Sequence, residues 1–258
     1  MLFAFSSNRE IYPQLGQKNF TRGETLHFKM NYGIFTIGKG TYKIHERYYK
    51  YNNRYCYKIE IVGKTVGMVD WVADVDDYFG AYVDTAALVP HHFFRKVREG
   101  HYKKDEWTYF DHENKKIEVR VLDNNTGKLK PSKFYEAPDQ VRDLIGGYLF
   151  LRTVNFDQLT VGDTLSIKGF FEDEFYDLQV IYMGKDIVRT RAGKFHAILL
   201  VPIMPDNKLF DGENSVRAWF SDDENRIPIK ISADMFIGNA GVELVKYSGL
   251  RNPVNLVK

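Results

Sequence analysis

Alternation of apolar and polar positions is the main pattern along this chain. In YCYKIEIV, Tyr55, Tyr57, Ile59 and Ile61 fall on one side and Lys58 and Glu60 on the other, because side chains along a β-strand repeat every second residue. The same period marks KIEVRVLD (Ile117, Val119, Val121), TLSIKGF (Leu165, Ile167), YDLQVIYM (Tyr176, Leu178, Val180, Tyr182) and RIPIKISA (Ile227, Ile229, Ile231). Each predicts a strand with one face on a core and the other in water. FHAILLVPI is apolar on both faces from Ala197 to Val201, so it predicts a central strand or one beneath a covering element. The runs are separated by YNNR, DNNTGK, RAGK, PDNK and FDGEN, which carry Asn, Asp or Gly where a positive φ costs little. Roughly ten to thirteen strands are expected.

One segment departs from this rhythm. In APDQVRDLIGGYLFLRTV, Pro138 suits a first helical turn, and Val141, Leu144, Ile145, Tyr148 and Leu151 recur at helical spacing. A single helix over 138–152 is predicted, with an apolar stripe that must cover something apolar on the sheet. The Gly146–Gly147 pair opposes it.

The chain also resembles itself. FTRGETLHFK, from Phe20, matches LTVGDTLSIK, from Leu159, at an offset of 139 residues; NRYCYKIEI and GKFHAILLV align at 140, and DTAALVPHHF and DDENRIPIKI at 138. Three colinear matches predict two copies of a multi-stranded unit, 20–110 and 159–240, joined by a connector holding the helix. They would form one β domain over 20–240, flanked by an N-terminal segment (1–19) and a C-terminal segment (241–258). A single meander leaves an apolar face and open edges, and joining two buries both. The expected fold is therefore mainly β: a large curled antiparallel sheet, as a partial barrel or a two-layer sandwich, with one covering helix. Its concave face is either filled by its own side chains or left hollow for a ligand.

Composition narrows the function. Lys plus Arg number 36 against 34 Asp plus Glu, so no strong field steers the chain to nucleic acid or an anionic membrane, and the 15% aromatic content suits half-buried strands. Basic and aromatic residues mix in HHFFRKVREGHYKK, but Glu99, Asp105 and Glu106 interrupt them, and no nucleic-acid partner is expected. A single cysteine, Cys56, excludes an internal disulfide and a Cys-based zinc site. No stretch is long and apolar enough to span a bilayer. MLFAFSSNRE reads either as the tail of a secretory signal, with AFS as a small-x-small cleavage site, or as a frayed terminus.

Candidate chemistry is sparse. His91 and His92 are neighbours on a strand and point to opposite faces, which disfavours a ligand pair. Asp74, Asp76 and Asp77, like Asp206, Asp211 and Glu213, lack EF-hand spacing and read as solvated turns. Gly33, Gly38 and Gly40 lack a following helix and predict a hairpin or bulge rather than a phosphate loop. Ser221 beside Asp222 and Asp223 has no nucleophile elbow and reads as a hairpin loop before Pro228. No catalytic, cofactor-binding or metal-binding residue is assigned. Trp71, Tyr78, Tyr82, Phe94, Trp107 and Trp219 are the candidates for an apolar ligand wall, with core packing as the competing account.

GETLHFKMNYGIFTIGKG, YVDTAALVPHHFFRKVREG, GKDIVRTRAGKFHAILLVP and AWFSDDENRIPIKIS, in this order, resemble the successive blocks of the exported bacterial domain-of-unknown-function family 3108. The resemblance covers most of residues 20–240 and implies a mainly antiparallel β-fold and export to the periplasm or cell surface. A remoter, fold-level analogy is to periplasmic lipoprotein carriers, whose incomplete barrels hold acyl chains beneath helical lids. The expected role is a non-enzymatic envelope protein that holds a hydrophobic or amphipathic ligand, lipid-like, or an apolar partner segment. The alternatives are a rigid interaction module with a filled core and, third, an enzyme acting on envelope polymers.

Overall fold

The computed structural model describes residues 10–67, 74–203 and 214–257. MLFAFSSNR, Trp71, Asp206, Asp211 and Glu213 lie outside them. The first arm of the sheet contains β1 (Thr25–Tyr32), β2 (Phe35–Ile44), β3 (Tyr49–Tyr51), β4 (Arg54–Thr65), β5 (Asp76–Asp84), β6 (Pro90–Glu99), β7 (Tyr102–Asp111), β8 (Lys116–Asp123), β9 (Lys128–Leu129) and β10 (Lys133–Glu136). After a helix, α1 (Leu144–Leu151), and a 3-10 turn (Phe156–Gln158), the second arm contains β11 (Thr164–Phe171), β12 (Glu174–Thr190), β13 (Gly193–Pro202), β14 (Val216–Ser221), β15 (Pro228–Asp234) and β16 (Asn239–Ser248). Every alternating run named above lies in a strand, except that Arg226 and Ile227 of RIPIKISA precede β15.

The sixteen described strands form one antiparallel sheet, ordered β10-β8-β7-β6-β5-β4-β2-β1-β16-β15-β14-β13-β12-β11, with β3 on β4 and β9 on β8. Both arms are meanders and meet where β1 pairs with β16. The sheet has more strands than the roughly thirteen that periodicity can find, since β3, β9 and β10 span only two to four residues. Six strands of each arm start at matched intervals: Thr25 and Thr164, Phe35 and Glu174, Arg54 and Gly193, Asp76 and Val216, Pro90 and Pro228, Tyr102 and Asn239, all 137 to 140 residues apart.

The sheet curls until its ends, β10 and β11, face each other, but they do not pair as strands. Tyr135 packs on Phe170 with ring centroids 5.0 Å apart, Lys133 Nζ lies 2.6 Å from Asp173, and Arg95 Nη1 lies 2.7 Å from Glu172. The inner face is filled by side chains of both arms: Leu26, Ile44, Ile59, Val83, Phe93, Phe110, Ile117, Phe195, Ile229 and Leu244 belong to one buried cluster. β13 is apolar on both faces because Phe195 and Ala197 join that cluster, while Ile198 and Leu200 pack with Phe156 of the 3-10 turn.

The helix is shorter than predicted: it spans Leu144–Leu151, not 138–152. Gln140 has a φ of +60°, and Arg142 pairs in parallel with Gly169 of β11, donating its amide to the Lys168 carbonyl and accepting from Phe170. Backbone groups that a first helical turn would use are therefore taken by the sheet edge. Asp143 starts the helix by accepting from the Gly146 amide. Of the expected stripe, Val141 precedes the helix and Leu144 is 54% exposed, while Ile145 and Tyr148 pack on the core together with Leu149, and Leu151 packs against the Phe156 cluster. A Cβ at Gly146 would sit 3.0 Å from Asp143 Oδ1 and 3.3 Å from Pro90, a tight fit that favours glycine there. Tyr148 reaches Tyr42 of β2 and Phe220 of β14, so the helix plugs the curl across both arms.

Candidate functional site

Period two puts Phe79, Ala81 and Val83 of β5 on the core, and therefore sends Tyr78 and Tyr82 to the convex face. On β6 and β7, Phe94 and Trp107 share that face as cross-strand neighbours. Four of the six aromatic candidates thus come together, but outside the curl rather than around a cavity within it. The His92 ring lies parallel to Tyr82 (5.7 Å) and Tyr109 (4.5 Å), with Tyr51 at 5.5 Å and Phe94 at 5.7 Å. Phe94 covers Gly80 so closely that a Cβ at that position would clash with the ring. Burial pushes the His92 imidazole down to about 4. Trp219 lies apart on β14, donating to Asp186 with Lys230 5.3 Å from its ring.

His91 and His92 are separated more strongly than simple alternation requires. Tyr82 pairs with His92 and Val83 with Pro90, so His91 is the extra residue of a β-bulge. It is fully buried, 3.6 Å from Asp84 and 3.2 Å from Asn52 Nδ2. Asp84 accepts from Arg54 at 2.6 and 3.1 Å and from the amides of Ala86 and Ala87. Burial alone would raise its pKa, but His91, Arg54 and those amides hold it well below the usual carboxylate range. This cluster of ionisable groups fixes the β3–β4 hairpin tip and the turn after β5. Among the described residues no group of three or more His, Cys, Asp or Glu has metal-binding geometry.

A cleft lies at the seam, where the chain crosses from β10 to α1. Its volume is about 610 Å3, within the usual range for small-molecule sites. Ile11, Pro13, Ala137, Pro138 and Phe150 give it an apolar wall, and His112, Lys115, Arg142, Ser166 and Lys168 supply polar groups, with Glu10, Asp139 and Gln140. Lys115 is paired with Asp139 at 2.9 Å. Burial pushes His112 down to about 4, which leaves it neutral at pH 7.

Arg142 is the unusual group. It is only 6% exposed, yet no carboxylate lies within ion-pair distance among the described residues. Nη1 donates to the Gln140 carbonyl at 2.8 Å, the guanidinium stacks 4.1 Å over Phe150, and Nε has no partner. Burial pulls its pKa down to about 10, opposed by the charge of Asp143. A buried cation left short of partners is costly unless something completes it. Sequence reasoning passed over Arg142 because it lay inside a predicted helix; the departure from helical geometry at Gln140 and Arg142 is what turns it into the cleft.

Comparison with known proteins bears on fold and family. The family described as "Protein of unknown function (DUF3108)" matches residues 27–245. No curated protein matches. Among solved structures, a β-barrel-like protein of the domain of unknown function DUF1849 from Brucella abortus has a TM-score of 0.57 at 12% identity, covering 89% of this chain and 98% of its own. A hypothetical protein from Chlamydia trachomatis has a TM-score of 0.40 at 8% identity, covering 96% and 98%. A Bacteroides fragilis protein with a YmcC-like fold, provisionally named as exported, has a TM-score of 0.35 at 8% identity, covering 92% and 98%. The Brucella likeness concerns the fold alone.

Proposed function

Because the chain belongs to the DUF3108 family, which carries no assigned activity, its function is read from its own geometry: we propose an exported envelope protein that holds an anionic amphiphile in the seam cleft. The observation that carries this reading is Arg142, buried and without an ion-pair partner among the described residues, lining a cleft with an apolar wall. A phosphate or carboxylate head completes the guanidinium by charge-assisted hydrogen bonds, with Lys168 alongside, and the hydrocarbon tail lies on Phe150, Pro138 and Ile11. The concave face is not the binding surface in this reading, since its side chains already fill it. Export rests on the family resemblance; no described helix is long and apolar enough to cross a membrane. The curled scaffold is read as two copies of a six-stranded unit, supported by the matched strand starts.

The test is calorimetric titration with dodecyl phosphate, with dodecyl maltoside as the neutral control, both below micelle-forming concentrations. Dodecyl phosphate should bind and Arg142→Met should weaken it roughly tenfold to a hundredfold, the range for one lost charge-assisted contact. The same variant should be as stable as the parent or more so, since an apolar side chain replaces an incompletely paired buried cation. No binding by the parent chain, or equal binding by the variant, leaves the alternative of a rigid interaction module with a filled core.

A further inference from the structure

Two neighbouring hairpins carry large apolar side chains into solvent. The β1–β2 turn presents Ile34 (90% exposed) and Phe35 (68%), and the β15–β16 turn presents Phe236 (62%) and Ile237 (81%). They stand side by side because β1 pairs with β16 up to Tyr32 and Ala240. Isolated exposed apolar residues need no explanation, but four on adjacent tips form a patch.

We infer that these tips insert into the surface of an anionic lipid bilayer. Three features favour lipid over a protein groove. The patch stands on two hairpin tips with side chains 62–90% exposed, which suits a deformable medium better than a matching concavity. Part of its backbone is already paired: Gly33 donates to the Asn239 carbonyl at 2.9 Å, Met235 to the Gly238 carbonyl at 3.1 Å, and the Tyr32 hydroxyl to the Ile237 carbonyl. Each such bond is one polar group fewer to be carried unpaired towards an apolar region.

The third feature is a row of lysines. Lys29, Lys39 and Lys64 face one another directly across β1, β2 and β4. Like charges placed this way are destabilising. Lys64 is offset by Asp76 at 2.8 Å, and Glu243 opposes Lys29 in register, while Lys39 has no ion-pair partner among the described residues. The row lies three residues behind Tyr32, about 10 Å at strand rise. That spacing places ammonium groups at phosphate level when the Ile and Phe side chains reach the acyl boundary. This surface is distinct from the seam cleft. Val75, adjoining Asp76 and Lys64, bridges to Glu99 at the β6–β7 turn, the opposite end of β7 from His112 and Lys115.

The test is flotation with vesicles of phosphatidylglycerol and phosphatidylethanolamine, compared with pure phosphatidylcholine. The full chain should float with the anionic vesicles and release as salt rises. Ile34→Ser with Phe35→Ser should weaken flotation roughly tenfold to a hundredfold, and Lys39→Glu should weaken it on anionic vesicles only. The tip residues are exposed, so circular dichroism should report a native fold in each. Failure of the parent chain to float, or equal flotation by the tip variant, overturns the inference. Concentration-dependent dimerisation abolished by the tip variant, without flotation, also overturns it and assigns the patch to a second copy.

Discussion

Replacing Arg152 by Met should destabilise the fold more than any other single change considered for this chain. Arg152 closes α1 at its C-terminal end, where a cation also suits the helix dipole. Both it and Glu24 are 0% exposed. The guanidinium donates to the two Glu24 oxygens at 2.6 and 2.9 Å, to the Asn225 carbonyl at 2.9 Å and to the Asn19 carbonyl at 3.2 Å. One side chain thus ties the connector helix to the segment before β1 and to the β14–β15 turn. Arg152→Met leaves a buried carboxylate without its partner, costing about 3–5 kcal/mol, and two carbonyls short of a donor add about 1 kcal/mol. Against a typical total of about 5–15 kcal/mol, this is a large fraction. At about 2–4 °C per kcal/mol for a domain of this size, the melting temperature should fall by roughly 10–20 °C.

Urea denaturation followed by tryptophan fluorescence, with thermal melts by circular dichroism, measures the loss. The double variant Glu24→Gln, Arg152→Met removes both charges and should recover about 2 kcal/mol of it, because the unpaired charge carries much of the penalty. A loss below about 1.5 kcal/mol in the single variant, or a double variant no more stable than the single, would refute this account of the buried pair.

Two further outcomes follow from local geometry. Burial pushes the Asp143 carboxyl up to about 7, so the folded state binds its proton more tightly than the unfolded chain. Its contribution is complete below about pH 4 and is lost as pH rises towards 7. Asn caps a helix as well as Asp, so Asp143→Asn should match the parent near pH 4 and exceed it at pH 8 by up to about 4 kcal/mol, read from urea midpoints; equal midpoints at pH 8 would rule this out. Gly80→Ala meets the Phe94 ring on the convex face and should cost about 1–3 kcal/mol. A Phe94→Ala background should relieve most of that in a double-mutant cycle, and strict additivity would show that the ring does not occupy the space above Gly80.

What was legible in the sequence follows the range over which the physics acts. Side-chain alternation in β4, β8, β11 and β15 is set by backbone geometry within a few residues, so these strands and their buried sides could be read directly. β3 and β9 could not, because two or three residues carry no period and pair only where β4 and β8 offer an edge. The helix was legible as an interruption but not in its bounds: residues 138–143 have helical spacing, yet β11 takes the Arg142 backbone groups. That competition arises only after two stretches some 25 residues apart in sequence meet in space.

The candidate site divides along the same line. Alternation alone determined that Tyr78, Tyr82, Phe94 and Trp107 share faces strand by strand. Which face became convex was decided by the direction of curl, a property of the whole sheet. Arg142 reads in sequence as one more basic residue on a helix; its burial without a carboxylate partner among the described residues arises where the connector runs beside β11 at the seam. The chain by itself specified which residues want water and which do not along each strand. Closure of the two arms, the filling of the interior and the cleft left at the seam were decided by long-range packing, because no local rule states where a curling sheet will stop.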